Sequence, residues 1–231
     1  MRSFLFVGDS MTIGCPGDFT WRYRMWQHLE AHGGPYRIVG PRTALYDPRT
    51  AAATSHAYAA DDFPPAARRH LAGWGEGWLH MAPAIRETVA TTGADTLLVS
   101  LGLIDLGFYT NAAQTAANLD LFLTEARAAN PRVSVAIHPV IPNVRAERDA
   151  PFAAECARFN ELLAKTAADR DEPRSPVLLA SAHATYDIHG DTYDGTHPGP
   201  TGEHKLAAAF ADAMHQAWGV GAAYSSHHEF A

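Results

Sequence analysis

Cysteine, charge and long apolar runs are all scarce in this chain, and each shortage excludes a class of protein. Only two cysteines, Cys15 and Cys156, occur among 231 residues, and they lie far apart, so a disulfide framework is not expected. Charged residues make up 19% of the chain and the net charge is −7, which argues against nucleic acid as a partner. No apolar run reaches the length of about 18 residues that a membrane span needs, so no membrane partner is expected.

The beginning and the length of the chain bound its location and its domain count. The first apolar run starts at Phe4, which leaves no room for a signal peptide before it, so we expect a cytoplasmic protein. A length of 231 residues with 47% hydrophobic residues suits one α/β domain with a sizeable core. We expect a single domain over residues 1–218 and a flexible, aperiodic tail over 219–231.

Short apolar runs alternate with amphipathic stretches along the chain. The runs predict strands at 4–7, 36–39, 96–101, 133–137 and 177–179. The amphipathic stretches predict helices at 21–29, 81–91, 112–129, 153–168 and 201–218. Residues 41–75 are rich in Pro, Ala, Asp and Arg and are interpreted mainly as irregular loop. Five strands separated by helices predict a parallel sheet covered on both faces.

Chemically active residue types follow several of the predicted strands. In open parallel α/β sheets, ligands bind just beyond the carboxyl ends of the strands. Ser10 follows the first predicted strand, residues 102–105 follow the third, and His138 follows the fourth. Asp194 and His197 lie in the loop after the fifth. All of these residues are therefore candidates for one site.

A Gly-Asp-Ser tripeptide closes the first predicted strand, and its serine is the first candidate nucleophile. Gly8-Asp9-Ser10 stands where the apolar run ends. A serine hydroxyl becomes nucleophilic when a base, usually histidine, takes its proton and a carboxylate holds that histidine in the right tautomer. The alternative is ordinary turn or cap chemistry, which Ser and Asp also favour.

A base and a carboxylate occur together in "DTYDGTHPGPTG", residues 191–202. Asp194 and His197 are three residues apart around Gly195, which permits a tight reversal, and Pro198 limits how the chain leaves. One loop can thus bring a carboxylate to Nδ1 of His197 while Nε2 faces outward. The alternative is again a plain turn, because Asp-Gly is a common turn pair.

Taken together, Gly-Asp-Ser after the first strand and Asp-x-x-His-Pro before the last helix resemble the SGNH hydrolases, also called GDSL esterases and lipases. The resemblance spans about residues 4–218 and implies a three-layer α/β/α sandwich around a five-stranded parallel sheet, a flavodoxin-like architecture. It implies that Ser10 is the nucleophile, His197 the general base and Asp194 the acid that orients it. It also implies hydrolysis or transfer of ester-linked acyl groups, a small-molecule acyl ester as the partner, and no metal or cofactor.

The resemblance also implies an oxyanion hole, and here the sequence departs from the family. The family uses the backbone N–H of the nucleophilic serine, that of a glycine after the second strand, and an asparagine side chain. Gly73 and Gly75 both fit the glycine. The family's Gly-x-Asn-Asp is Gly102-Leu103-Ile104-Asp105 here, so an isoleucine without a donor occupies the asparagine position. Losing one oxyanion donor typically lowers turnover by about 10²–10³.

This departure leaves several interpretations open. A replacement donor is one, and His138, Asn143 and Asn111 are the candidates. A slow or specialised esterase, an acyltransferase or tailoring enzyme of a biosynthetic pathway, and a ligand-binding protein without turnover are the others. Whichever holds, the predicted substrate-binding residues are Asp9, Trp74, Ile104, Phe108, Tyr109 and His138. His183, Asp187, His189 and Asp191 resemble metal ligands only by type, since their spacing matches no zinc pattern.

Overall fold

The computed structural model describes residues 1–182 and 185–224. The strands are β1 (Arg2–Gly8), β2 (Tyr36–Val39), β3 (Leu45–Asp47), β4 (Ala52–Ser55), β5 (Leu71–Ala72), β6 (Thr96–Ser100), β7 (Ser134–His138) and β8 (Val177–Leu179). The helices are α1 (Ser10–Ile13), α2 (Trp21–His32), α3 (Trp78–Thr92), α4 (Ala112–Ala129), α5 (Ala150–Arg170) and α6 (Pro200–Trp218). A π-helical turn spans Asp105–Tyr109 and a 3₁₀ turn spans Val144–Glu147.

A parallel sheet with the order β2-β1-β6-β7-β8 forms the centre of the molecule. The side chains of 4–7 and 97–99 have no solvent exposure, as the continuous apolar runs predicted for strands covered on both faces. The chain order reverses direction between β1 and β6, and such a switch point is where open α/β sheets bind ligands.

Helices cover both faces of the sheet. On one side α3 packs on α4 and α4 packs on α5, while α2 packs on α6. The predicted α/β/α sandwich with a five-stranded parallel sheet is therefore confirmed, with the two-residue strand β5 added beside the end of β1. The predicted helices and strands are all present, with boundaries that move by up to three residues.

Residues 41–75 are mainly irregular, as predicted, but they contain three short strands that the prediction missed. β3 and β4 form an antiparallel hairpin there, and β5 joins the main sheet. The turn is stabilised by the Asp47 carboxylate, which accepts a hydrogen bond from Arg49 N at 2.9 Å. The segment also has a core of its own, because Tyr58 and Phe63 are buried. Its polar, proline-rich composition concealed these elements, since each is only two to four residues long.

The structure describes only the first part of the predicted tail, residues 219–224. Residues 219–224 pack against α6: Val220 is buried, and Tyr224 N donates to Asp212 Oδ1 at 2.7 Å. Residues 225–231, and His183 of the rejected metal cluster, lie outside the described residues. Over the two stretches that the structure describes, no helix has the length and apolar character needed to cross a membrane.

Candidate active site

The Gly-Asp-Ser tripeptide is a tight strand-to-helix turn. Gly8 ends β1, and Ser10 begins α1 two residues later. Asp9 caps this helix by accepting a hydrogen bond from Met11 N at 3.0 Å. A Cβ at Gly8 would lie 2.0 Å from Thr12 Oγ1, so only glycine permits this return of the chain. Ser10 is therefore fixed at the carboxyl end of β1, above the switch point of the sheet.

A buried arginine attaches this turn to its surroundings. Arg22 has no solvent exposure, and its guanidinium donates to Thr12 O at 2.8 Å and to Ile13 O at 3.1 Å. Two further bonds reach Arg68 O and the Tyr58 hydroxyl. These bonds satisfy carbonyl groups that so short a helix leaves unpaired, and they hold α1 against α2 and the 58–68 segment.

A compact loop between β8 and α6 carries the histidine. Within it, Gly195 adopts φ +81°, and a Cβ there would lie 2.6 Å from Val144 Cγ1. Val144 N donates to Gly195 O at 2.9 Å, which ties the loop to the chain after β7. Tyr193 N donates to His197 O at 3.1 Å. The loop is thus closed by its own backbone and anchored from outside.

Ser10, His197 and Asp194 form a continuous chain of hydrogen-bonding groups. Ser10 Oγ lies 3.0 Å from His197 Nε2, and His197 Nδ1 lies 2.7 Å from Asp194 Oδ2. The other carboxylate oxygen, Asp194 Oδ1, accepts bonds from the backbone N–H groups of Thr196 and His197 at 3.0 and 2.7 Å. Burial alone would raise the pKa of Asp194, but the hydrogen bonds from His197 outweigh it and the pKa lies below its ordinary value.

A cleft of about 370 Å³ opens beside Ser10 and His197. Four of the six predicted substrate-binding residues line it: Trp74, Ile104, Phe108 and Tyr109. Phe108 is 76% exposed and Tyr109 52% exposed, so the mouth of the cleft presents aromatic side chains to solvent. Exposed aromatic groups beside a polar cluster are typical of a small-molecule site.

Asp9 and His138, the other two predicted substrate-binding residues, do not line the cleft. Both are buried, and both border a separate cavity of about 10 Å³. Asp9 caps α1, and the ring of His138, the last residue of β7, lies with Nδ1 2.7 Å from Pro139 O. Proximity in sequence to a strand end placed them among the candidates, but their side chains are buried and line a different cavity.

The two glycine candidates for the oxyanion hole differ in whether their N–H groups are engaged. Gly73 N donates to Gly8 O at 3.2 Å, so this donor is already engaged. Gly75 lines the cleft with Ser10, and among the described residues no acceptor engages its N–H. Of the two asparagines weighed as replacements for Ile104, Asn143 lines the cleft, whereas Asn111 caps α4 through a bond from Gln114 N.

The aspartate of the Gly-Leu-Ile-Asp motif joins the segment that follows β6 to the start of α3. Asp105 is fully buried and accepts bonds from Trp78 N at 2.8 Å and Leu79 N at 3.1 Å. It therefore caps α3 from a different part of the chain. Burial raises the pKa of Asp105 and these two bonds lower it, with a net rise. The π-helical turn that begins at Asp105 carries Phe108 and Tyr109 to the cleft mouth.

Sequence reasoning missed several residues of the site. Tyr46, on β3, stacks on Trp74 with ring centroids 4.5 Å apart. Phe152 and Arg145 line the far side of the cleft, and the Arg145 guanidinium lies over the Phe152 ring. For Tyr46 a signal was present, because Asp47-Pro48 after a short apolar pair favours a turn and hence a hairpin. For Phe152 and Arg145, no sequence pattern indicated the contact.

Asp9 makes stability depend on pH in the direction opposite to that of a carboxylate whose pKa an ion pair lowers. Burial raises the pKa of Asp9 to about 7, with Asp105 adding to the rise and the Met11 N–H opposing it. The folded state therefore holds this proton more tightly than the unfolded state, where the pKa is about 3.9. Stability contributed by protonated Asp9 is present below about pH 4 and is lost as the pH rises to about 7.

We expect Asp9→Asn to flatten this dependence, because asparagine keeps the oxygen that accepts from Met11 N and cannot ionise. Urea unfolding at pH 5 and pH 8 should show wild type losing more free energy of unfolding than Asp9→Asn, by at most about 3 kcal/mol. Glu203, whose pKa burial also raises to about 7, acts in the same direction in both proteins and cancels in the difference. Parallel curves for the two proteins would refute the assignment.

A parallel α/β/α sandwich with a Ser–His–Asp hydrogen-bond chain at the carboxyl edge of its sheet is the arrangement of an α/β serine hydrolase. The model of the GDSL-like lipase/acylhydrolase family matches residues 6–205. The chain belongs to this family, and it is a carboxylic ester hydrolase by class. The family resemblance inferred from the sequence is therefore confirmed.

Solved structures share the fold at low sequence identity. An acetyl esterase mutant with an acetate ion has a TM-score of 0.72 and 24% identity, covering 90% of this chain and 93% of that one. A carbohydrate esterase family 3 protein from Talaromyces cellulolyticus gives 0.71 and 23%, covering 91% and 94%. A family 3 carbohydrate esterase from Clostridium thermocellum gives 0.71 and 18%, covering 93% and 96%. No curated protein matches the chain significantly in sequence.

Proposed function

We propose that this protein is a serine-dependent esterase that hydrolyses a small or medium acyl ester. One observation carries the proposal: the unbroken path from Ser10 Oγ to His197 Nε2 at 3.0 Å and from His197 Nδ1 to Asp194 at 2.7 Å. Both distances are within hydrogen-bond reach without any movement of the chain. The cleft of about 370 Å³ opens directly at this path.

In the proposed reaction Ser10 attacks the ester carbonyl carbon while His197 takes the hydroxyl proton at Nε2. The imidazolium then gives this proton to the departing alcohol oxygen, which leaves an acyl group on Ser10. A water molecule then attacks the acyl group while His197 takes a proton from it. The same proton passes to Ser10 Oγ, and the carboxylic acid is released. Asp194 supports both steps, because its charge stabilises the imidazolium and its Oδ2 keeps Nδ1 protonated.

The developing oxyanion needs aimed donors, and the proposal assigns two backbone groups to it. The Ser10 N–H belongs to the first turn of α1, where helix N–H groups lack intrahelical partners. The Gly75 N–H is the second donor. Ile104 offers none at the position where the family has an asparagine side chain, so the acylation step works with two donors in place of three.

The apolar lining of the cleft supports a substrate with a small acyl group. Leu103, Ile104 and Phe152 contribute apolar side chains to its walls. The similar folds named above include an acetyl esterase and two carbohydrate esterases, which agrees with a small acyl group.

A second candidate function, acyl transfer to an acceptor other than water, is favoured by Ile104, since an apolar group at the oxyanion position disfavours ordered water.

Active-site titration with a fluorophosphonate, followed by p-nitrophenyl acetate turnover, tests the proposal. A hydrolase should react with one equivalent of the fluorophosphonate and should hydrolyse the ester over many cycles. A transferase labels and forms an acyl-serine that persists until an alcohol acceptor is added. A folded protein that neither labels nor turns over would be a ligand-binding protein, and the proposed function would be wrong.

Ile104→Asn should raise hydrolysis if Ile104 occupies the missing donor position. Removal of one oxyanion donor lowers turnover by about 10²–10³-fold. A restored donor should therefore raise kcat above the wild-type value by at least about tenfold. Ile104→Val, which adds no donor, is the matched control and should stay near wild type. A fall in kcat for Ile104→Asn alone would indicate that the site has been rebuilt around another reaction.

A further inference from the structure

A column of aromatic rings stands against the imidazole of His197. Tyr46 stacks on Trp74 with centroids 4.5 Å apart and planes 13° from parallel. Trp74 stacks on His197 at 4.7 Å and 20°, and the Tyr193 ring lies 5.8 Å from His197 at 19°. Hydrogen bonds to Asp194 fix only one edge of the imidazole, so the tilt of its plane toward Ser10 is set by what lies against its face.

We propose that Trp74, supported from behind by Tyr46, is a positioning residue that holds the His197 imidazole in the plane needed for proton transfer with Ser10. This inference rests on the proposed function and assigns Trp74 a role beyond that of a wall of the substrate cleft. The indole also favours the imidazolium that forms during each step, since a cation is attracted to the face of an aromatic ring.

The column is attached to the same turn that carries the nucleophile. Gly73, next to Trp74, donates from its N–H to Gly8 O at 3.2 Å, and Tyr46 N donates to Gly14 O at 3.0 Å. Both bonds end on residues that flank α1. The distance between the base and the serine is therefore fixed by a closed path: Ser10, its flanking residues, the two stacked rings and the imidazole.

An ion pair holds the loop that carries Trp74. Arg42 lies 2.5 Å from Glu76, and the same guanidinium donates to Ala72 O at 3.1 Å. Glu76 N donates to Gly73 O at 3.2 Å. Trp74 is 37% exposed, and an exposed indole without such anchoring would exchange among rotamers. The loop therefore has the rigidity that a positioning role needs.

Other charged and titratable groups lie near the imidazole. Asp194 contacts Nδ1, and Asp18 is near enough that the charge of His197 lowers the pKa of Asp18, although burial gives a net rise. Tyr193 and Cys15 complete the set; burial raises the pKa of the Cys15 thiol to about 11 and raises that of the Tyr193 phenol. Neither of these two ionises near neutral pH.

Steady-state kinetics of Trp74→Ala, Trp74→Phe and Tyr46→Ala test the inference. Trp74→Ala should lower kcat for p-nitrophenyl acetate by about 10–100-fold, because loss of alignment affects the chemical step, with KM changed less than about threefold. Trp74→Phe keeps a ring against the imidazole and should restore most of kcat. Trp218→Phe is the matched control; it ends α6, lines no part of the cleft and should leave kcat unchanged.

A spectroscopic measurement tests the contact between Trp74 and His197 and does not need turnover. A histidine side chain packed on an indole quenches its emission, so the emission of Trp74, taken as the difference between a protein and its Trp74→Phe counterpart, should rise when His197→Asn removes the imidazole. If Trp74→Ala fails to fold, Tyr46→Ala tests the same column, with an expected loss of kcat of about 3–10-fold.

Each outcome decides something. A wild-type kcat with a raised KM in Trp74→Ala would make Trp74 a substrate contact only and would overturn the inference, as would a Trp74 emission that does not change in His197→Asn. Failure of wild type to label or turn over would contradict the proposed esterase instead. In that case the emission of Trp74 still decides whether the indole stacks on His197.

Discussion

Ser10→Ala should lower kcat for p-nitrophenyl acetate by about 10⁴–10⁶-fold, because a triad that loses its nucleophile retains only the catalysis of the oxyanion donors and of binding. Alanine fits the site without strain, since Ser10 is a helix residue whose hydroxyl contacts His197. KM for the ester should change little, because the other residues that line the cleft are unchanged. Fluorophosphonate labelling should disappear in the same variant.

A matched serine variant makes this result specific. Ser134 begins β7 and so lies at the amino edge of the sheet, opposite the cleft. Ser134→Ala should label and turn over as wild type does, and both variants should unfold at similar urea concentrations. Labelling that survives in Ser10→Ala would show that another residue is the nucleophile, and the proposed mechanism would then be wrong.

Asp194→Asn should lower kcat by about 10⁴-fold, as expected when the histidine is held in the wrong tautomer. The reason lies in how the loop uses both carboxylate oxygens. Oδ1 accepts the N–H groups of Thr196 and His197, so the oxygen of an asparagine must occupy that place. Its NH₂ group then faces Nδ1, which can accept only when the ring proton is on Nε2. A protonated Nε2 cannot take the Ser10 proton.

The control for this variant comes from the same loop. Asp187 accepts a hydrogen bond from His189 N at 3.2 Å and makes no contact with His197. Asp187→Asn should keep kcat within about twofold of wild type, as surface substitutions away from the site usually do. Equal losses in the two variants would mean that loop stability, and not the tautomer of His197, accounts for the effect of Asp194.

The three residues of the proposed triad could be predicted because each is part of a short pattern with its own local chemistry. Gly8 permits the return of the chain, and Asp9 and Ser10 follow at fixed spacing. Asp194 reaches His197 within one loop. Local rules do not predict the contact between Ser10 and His197, since 187 positions separate these two residues. That contact was inferred from a family resemblance and from the rule that strand ends share one edge of the sheet.

For other candidate site residues, the sequence left alternatives that only contacts between distant parts of the chain can decide. Gly73 and Gly75 are equivalent by pattern, and the bond from Gly73 N to Gly8 O distinguishes them. His138 stands at a strand end as the other candidates do, yet its side chain is buried away from the cleft. Both outcomes depend on backbone direction at the sheet edge, and composition and periodicity do not encode it.

By itself, the sequence determined the α/β class, the parallel sheet and the positions of the catalytic candidates, because apolar periodicity and turn chemistry act over a few neighbouring residues. Tertiary structure alone decided which side chains meet. Tyr46, Trp74 and His197 come from three separate loops or strands and stack only after β3, β5 and the last loop have been placed around α1. Such contacts are set by the closure of the whole chain on its core, and no local pattern specifies them.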